Sequence, residues 1–123
     1  MTAPSMVNPS SVLGKAFTVD LTTTAATAAL SNAALSGHLY KVDSLVVSNI
    51  DTAAQTVSVN YYSAADLAGT ATPVAYLISV PAGASLIVVD KLSPIYLEED
   101  RSLGVTATVA SKLKVTGSYE DVS

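Results

Sequence analysis

The chain has 123 residues, enough for one domain with a proper core, because a fold of this size buries roughly two-thirds of the surface its unfolded chain exposes. Half of the residues are hydrophobic and only 13% are charged, against a usual share of about 25%, which excludes a disordered, highly charged chain. The net charge of −4 offers no basic patch for nucleic acid, the lack of cysteine excludes disulfides and thiolate chemistry, and one histidine cannot form a histidine cluster.

Residues 1–15 read as an extended, irregular arm, with two prolines and small polar residues around Met6, Val7, Val12 and Leu13. The arm has neither the cationic start nor the apolar run of a secretory signal. Two readings stay open: a frayed terminus, or an arm that orders against a neighbouring subunit through Met6, Val7 and Leu13. Fully extended, it would reach about 40–50 Å. No later stretch approaches the roughly 18 apolar residues of a membrane span. The chain is expected to be soluble, made in the cytoplasm and unprocessed.

From Phe17 the dominant period is two. Phe17, Val19 and Leu21 alternate with Thr18, Asp20 and Thr22, as a half-buried strand requires. Residues 22–35 are alanine-rich but carry three consecutive threonines. They read as a strand ending near Leu30 and a turn through Ser31 and Asn32, with a short helix as the alternative. A long strand spans 38–50, with Tyr40, Val42, Val46 and Ile50 on one face and Leu45 and Val47 on the other. Asp51 to Gln55 supplies hairpin chemistry, and the chain returns over 56–62. Residues 63–72 read as a surface loop. Val74, Tyr76, Ile78 and Val80 alternate again, and Pro81-Ala82-Gly83 makes a turn. The run 86–89 reads as a strand covered on both faces. Residues 94–97 form a short edge segment, and 98–101 a polar turn. A final hairpin pairs Leu103, Val105, Ala107 and Val109 with Leu113, Val115, Gly117 and Tyr119.

About eight short strands with turns between them predict an all-β fold, an antiparallel β-sandwich of jelly-roll-like form over residues 16–123, preceded by the arm.

The side chains suited to catalysis are few. His38 has no nucleophile elbow near it, and its place at a strand start suggests a cap or a solvent-facing ring. Glu98-Glu99-Asp100 lacks the alternating-acid pattern of a calcium loop and reads as a solvated turn. Asp43, Asp66 and Asp90 cannot be paired across a cleft from sequence. No catalytic, cofactor-binding or metal-binding residue is therefore assigned, and the chain is not expected to be an enzyme. Tyr61 and Tyr62, as strand neighbours, should point to opposite sides, leaving one ring outside. Several strands carry apolar residues on both faces (Leu45-Val46-Val47, Leu77-Ile78 and Leu86-Ile87-Val88-Val89), more than a lone sandwich needs, which implies a second burial surface. Leu45, Val47 and Tyr62 are the candidates for that surface.

The successions Tyr40-Lys41-Val42-Asp43-Ser44-Leu45-Val46-Val47-Ser48-Asn49, Thr56-Val57-Ser58-Val59, Val80-Pro81-Ala82-Gly83-Ala84-Ser85-Leu86, Leu97-Glu98-Glu99-Asp100-Arg101-Ser102-Leu103 and Val115-Thr116-Gly117-Ser118-Tyr119-Glu120 resemble small all-β virion proteins of tailed bacteriophages, such as capsid decoration (cement) proteins and head- or tail-fibre components. The likeness covers about residues 17–123 and is one of strand-and-turn pattern, so no functional residue transfers with it. It implies a virion subunit made in the host cytoplasm, trimeric or otherwise symmetric, that binds major capsid protein or another virion subunit by surface complementarity. No cofactor and no nucleic-acid, membrane or small-molecule partner is expected. Capsid cement is the expected role. The alternatives are a tail, baseplate or fibre-attachment subunit and, from another class, a carbohydrate-binding module, which the absence of tryptophan disfavours.

Overall fold

A computed structural model describes residues 9–123. The described residues form nine strands and no helix: β1 (Val12–Asp20), β2 (Thr27–Asn32), β3 (Leu39–Asn49), β4 (Gln55–Tyr62), β5 (Ala71–Val80), β6 (Ser85–Val89), β7 (Ile95–Leu97), β8 (Arg101–Ala107) and β9 (Leu113–Val122). They build two antiparallel sheets. One runs β1-β9-β3-β6, with β7 also on β3, and the other runs β2-β8-β4-β5. The two sheets pack into a β-sandwich with the strand order of a jelly roll, in which most connections cross from one sheet to the other.

That crossing corrects two expectations. The turn at 51–55 does not close a ladder hairpin, because β3 and β4 lie in different sheets, and the same holds for the final pair, β8 and β9. Period-two patterning identifies a strand and its buried face but says nothing about its neighbour. Here β9 pairs with β1 and β3, while β8 pairs with β2 and β4. Of strands consecutive in the chain, β4 and β5 are the pair that form a ladder.

The core is the inward side of both sheets. Phe17, Val42, Leu45, Val47, Val89, Leu97, Leu113 and Val115 come from the first, and Val57, Val59, Val80, Leu103, Val105 and Ala107 from the second. Each fully buried valine or leucine contributes about 1.5–3 kcal/mol of transfer free energy. Gly117, opposite Phe17 in the ladder, lets that ring lie flat across β9: a Cβ at 117 would collide with the Phe17 ring and with the Ser44 carbonyl.

Strand β3 contains a bulge. Val42 pairs with Tyr119 and Ser44 with Ser118, so Asp43 is an extra residue and the facing pattern slips by one. Val42 therefore points inward on one side of the bulge, while Leu45 and Val47 point inward on the other. The expectation that Leu45 and Val47 lie on an outer face is overturned. Both are fully buried, and Val46 turns outward instead.

The first strand begins at Val12, inside the segment expected to be an arm. It pairs with β9 along its whole length, from Val12 opposite Val122 to Asp20 opposite Lys114.

Candidate interaction surface

Two features stand out once the core is accounted for: a buried carboxylate at one end of the sandwich and an apolar edge along β5 and β6.

Asp121, on β9, has only 5% of its side chain exposed. Lys15 Nζ, from β1, donates to its Oδ2 at 2.7 Å, and His38 Nδ1 donates to its Oδ1 at 2.6 Å. Burial would raise the carboxyl pKa, but the hydrogen bonds and charges of Lys15 and His38 outweigh it and hold Asp121 below the usual carboxylate value. The same carboxylate holds Lys15 above its usual value, chiefly through their hydrogen bond. Tyr40 is raised, mainly by burial and then by the neighbouring Asp121 charge, and its ring packs edge-on against Tyr119 at 5.1 Å. His38 is thus paired, not the free cap or solvent-facing ring expected of it. Both carboxylate oxygens are taken up within the cluster, which ties the edge strand β1 and the connection before β3 to β9.

The acidic turn is structural in the same way. Glu99 Oε2 accepts from the Gly37 backbone N–H at 3.2 Å, and Asp100 Oδ1 accepts from the Ala65 N–H at 2.9 Å. Ser102 adds a second tie to the 63–70 loop, accepting from Leu67 N–H at 3.0 Å and donating to the Ala64 carbonyl at 2.8 Å.

The apolar edge is built by β5, the outermost strand of its sheet. Opposite Val57 stands Ile78, and opposite Val59 stands Ala75, so Tyr76 and Leu77 together face the single residue Ser58. Ser58 Oγ accepts the Leu77 N–H at 2.9 Å, and Leu77 adopts a left-handed backbone (φ 48°). A second register shift leaves Val74 as an extra residue between Ala75 and Pro73. The expected alternation of Val74, Tyr76, Ile78 and Val80 is broken by these bulges. Val80 is buried, whereas Val74, Tyr76, Leu77 and Ile78 are all exposed, Tyr76 by 66%. The chain then crosses through 81–84 to β6, an edge strand of the other sheet, where Ile87 is 65% exposed. The 86–89 run was expected to be covered on both faces; its edge position uncovers Ile87.

Of the residues singled out from sequence, Met6 and Val7 lie outside the described residues. Leu13 is half exposed on β1, facing Asp121 across the ladder. Tyr62 is half-buried and lies over Gly104, with its ring edge 2.8 Å from where a Cβ at that glycine would stand, while its neighbour Tyr61 packs on the core. The structure does not bring these residues together. Leu77, Ile78 and Ile87 belong to the strands whose apolar residues on both faces point to a second burial surface, but neither they nor Tyr76 are among the contact residues chosen from sequence. The signal for them was available: residues 67–89 contain no charged side chain.

No protein-family model matches the chain, and no curated protein matches it significantly. Among solved structures it is similar to a chain reported under the finding that Bacillus endospore appendages form a novel family of disulfide-linked pili. The TM-score is 0.53 at 14% identity, over 100% of this chain and 96% of that one. At that identity the similarity is one of fold.

Proposed function

We propose that the protein is a non-catalytic structural subunit that works as part of a multi-copy assembly. The observation that carries this reading is the apolar edge. Single exposed hydrophobic residues are ordinary on a monomer, but a contiguous run on an edge strand is what natural sandwiches avoid. The fold likeness to a pilus-forming chain is compatible with it. That pilus is disulfide-linked, whereas this chain has no cysteine, so its own assembly would rest on non-covalent contacts. Within the structural class, the strand-and-turn resemblance to phage virion proteins favours a capsid cement role. The sandwich would bind across subunits of the assembled major capsid lattice and stabilise the shell by binding the assembled form alone.

The test is cosedimentation of the purified protein with mature capsids of the phage carrying this reading frame, followed by melting of the loaded shells. Binding at a fixed copy number together with a raised melting temperature is expected. Retention on isolated tails instead would point to a tail or fibre-attachment subunit. Protein left in the supernatant with both would overturn the virion reading.

A further inference from the structure

Resting on the reading of the chain as a structural subunit, we infer that the β5–β6 edge is a self-association surface, and that the β5 edge of one copy packs against the β5 edge of a second. Charge selects the occupant. All ten acidic and six basic residues lie outside 67–89, so this edge is neutral; residues 21–40 carry no Asp, Glu, Lys or Arg either, but Leu35 is the one large apolar side chain exposed there. The other exposed large apolar side chains differ. Val12 and Leu13 lie close to Lys15, Ile50 adjoins Asp51, Leu92 adjoins Lys91, Tyr96 precedes Glu98 by two residues, and Leu35 stands alone on a turn. An uncharged apolar surface is complementary to itself, and edge-to-edge packing keeps the acidic remainder of the two copies apart.

The contact is made by side chains, not by adding a strand. Pro73 has no N–H to offer, and the bulges at Val74 and at Tyr76–Leu77 interrupt the outward row of backbone groups that strand addition needs. The same bulges turn Tyr76 and Leu77 out together. The strand thus blocks indiscriminate pairing while presenting an aromatic and aliphatic cluster, the residue types that anchor interfaces. A stable dimer buries about 800 Å² per partner, more than these few side chains supply, so the small residues around them join the contact and the affinity is modest. Such a contact is two-fold. It gives dimers, a symmetric form other than the trimer that the phage resemblance favoured.

Sedimentation equilibrium of the full chain from about 5 to about 500 µM tests this. A monomer–dimer equilibrium is expected. It should weaken by about tenfold or more in the Tyr76→Glu/Leu77→Glu variant and remain unchanged in Leu92→Glu, with melting curves confirming that both variants fold. Mixing Tyr76→Glu with Tyr76→Lys should restore association that neither shows alone. A wild-type chain that stays monomeric, a trimer, or association indifferent to the β5 substitutions would overturn the contact. The capsid assay is independent. Monomeric protein that still binds shells would sink this contact and leave the structural-subunit reading standing.

Discussion

Asn49 is buried, yet every polar atom of its side chain is used. Nδ2 donates to the carbonyls of Ala53 and Val80, both at 2.9 Å, and Oδ1 accepts the Asp51 N–H at 2.8 Å. Asn32 does the same at the β2–β3 crossover, donating to the carbonyls of His38 and Leu97. Asn49→Ala should cost about 2–3 kcal/mol by leaving buried carbonyls without donors, read as a lowered melting temperature. Gly117→Ala should cost about as much, because its methyl group meets Phe17 and a fixed carbonyl. Neither role could be read from sequence: both residues fall inside expected strands, but the carbonyls and the ring they accommodate come from segments distant in the chain. Asp121 contributes to acid stability, as does Asp51, a second carboxylate whose pKa the fold lowers. Folding lowers the Asp121 pKa, so its contribution is complete above the unfolded value of about 3.9 and is lost as pH falls through the folded one. Asp121→Asn should therefore lower stability at neutral pH and flatten the decline below about pH 4, measured by denaturant titration across that range. An unchanged acid slope would contradict this account of the cluster.

Strand phase is where sequence reading succeeded and failed by turns. Most strand positions, the two-sheet sandwich and the buried faces of β8 and β9 follow from alternation, since the extra residues in their ladders lie on the partner strands. The exceptions are β1, which starts inside the expected arm, and β2, which runs through Ser31 and Asn32 where a turn was expected. The phase of β3 does not follow either, because the extra residue Asp43 moves Leu45 and Val47 into the core, and nothing local in the sequence marks the bulge. Leu45→Ala should accordingly behave as a core mutation, losing about 2–5 kcal/mol without a specific effect on assembly. On β5 the bulge is itself strained: a leucine held at positive φ costs roughly 1–2 kcal/mol relative to ordinary backbone. Leu77→Gly should relieve that strain and leave the isolated fold as stable or more stable, by up to about 1 kcal/mol, while weakening self-association. Gains and losses that run in opposite directions in melting and sedimentation would mark Leu77 as kept for contact at some expense to the fold.

At the scale of the molecule, the two sheets fill one core and leave a neutral apolar margin on one side and an ion-paired margin, held by Lys15 and Asp121, on the other. The neutral margin suits a subunit added to a larger surface, while the β1 margin keeps Val12 and Leu13 half exposed beside its ion pair. Surface ion pairs such as Lys114–Asp20 at 3.3 Å add little stability, so the β1 margin relies on the buried Asp121 more than on its exposed charges. On the proposed reading, other subunits cover the apolar margin in the working protein. Difference imaging of particles assembled with and without the protein tests this most directly. Discrete, symmetric extra density at a fixed site, with the β5–β6 margin turned towards protein, is expected. Particles identical in both preparations, or a bound sandwich whose β5–β6 margin faces open solvent, would contradict it.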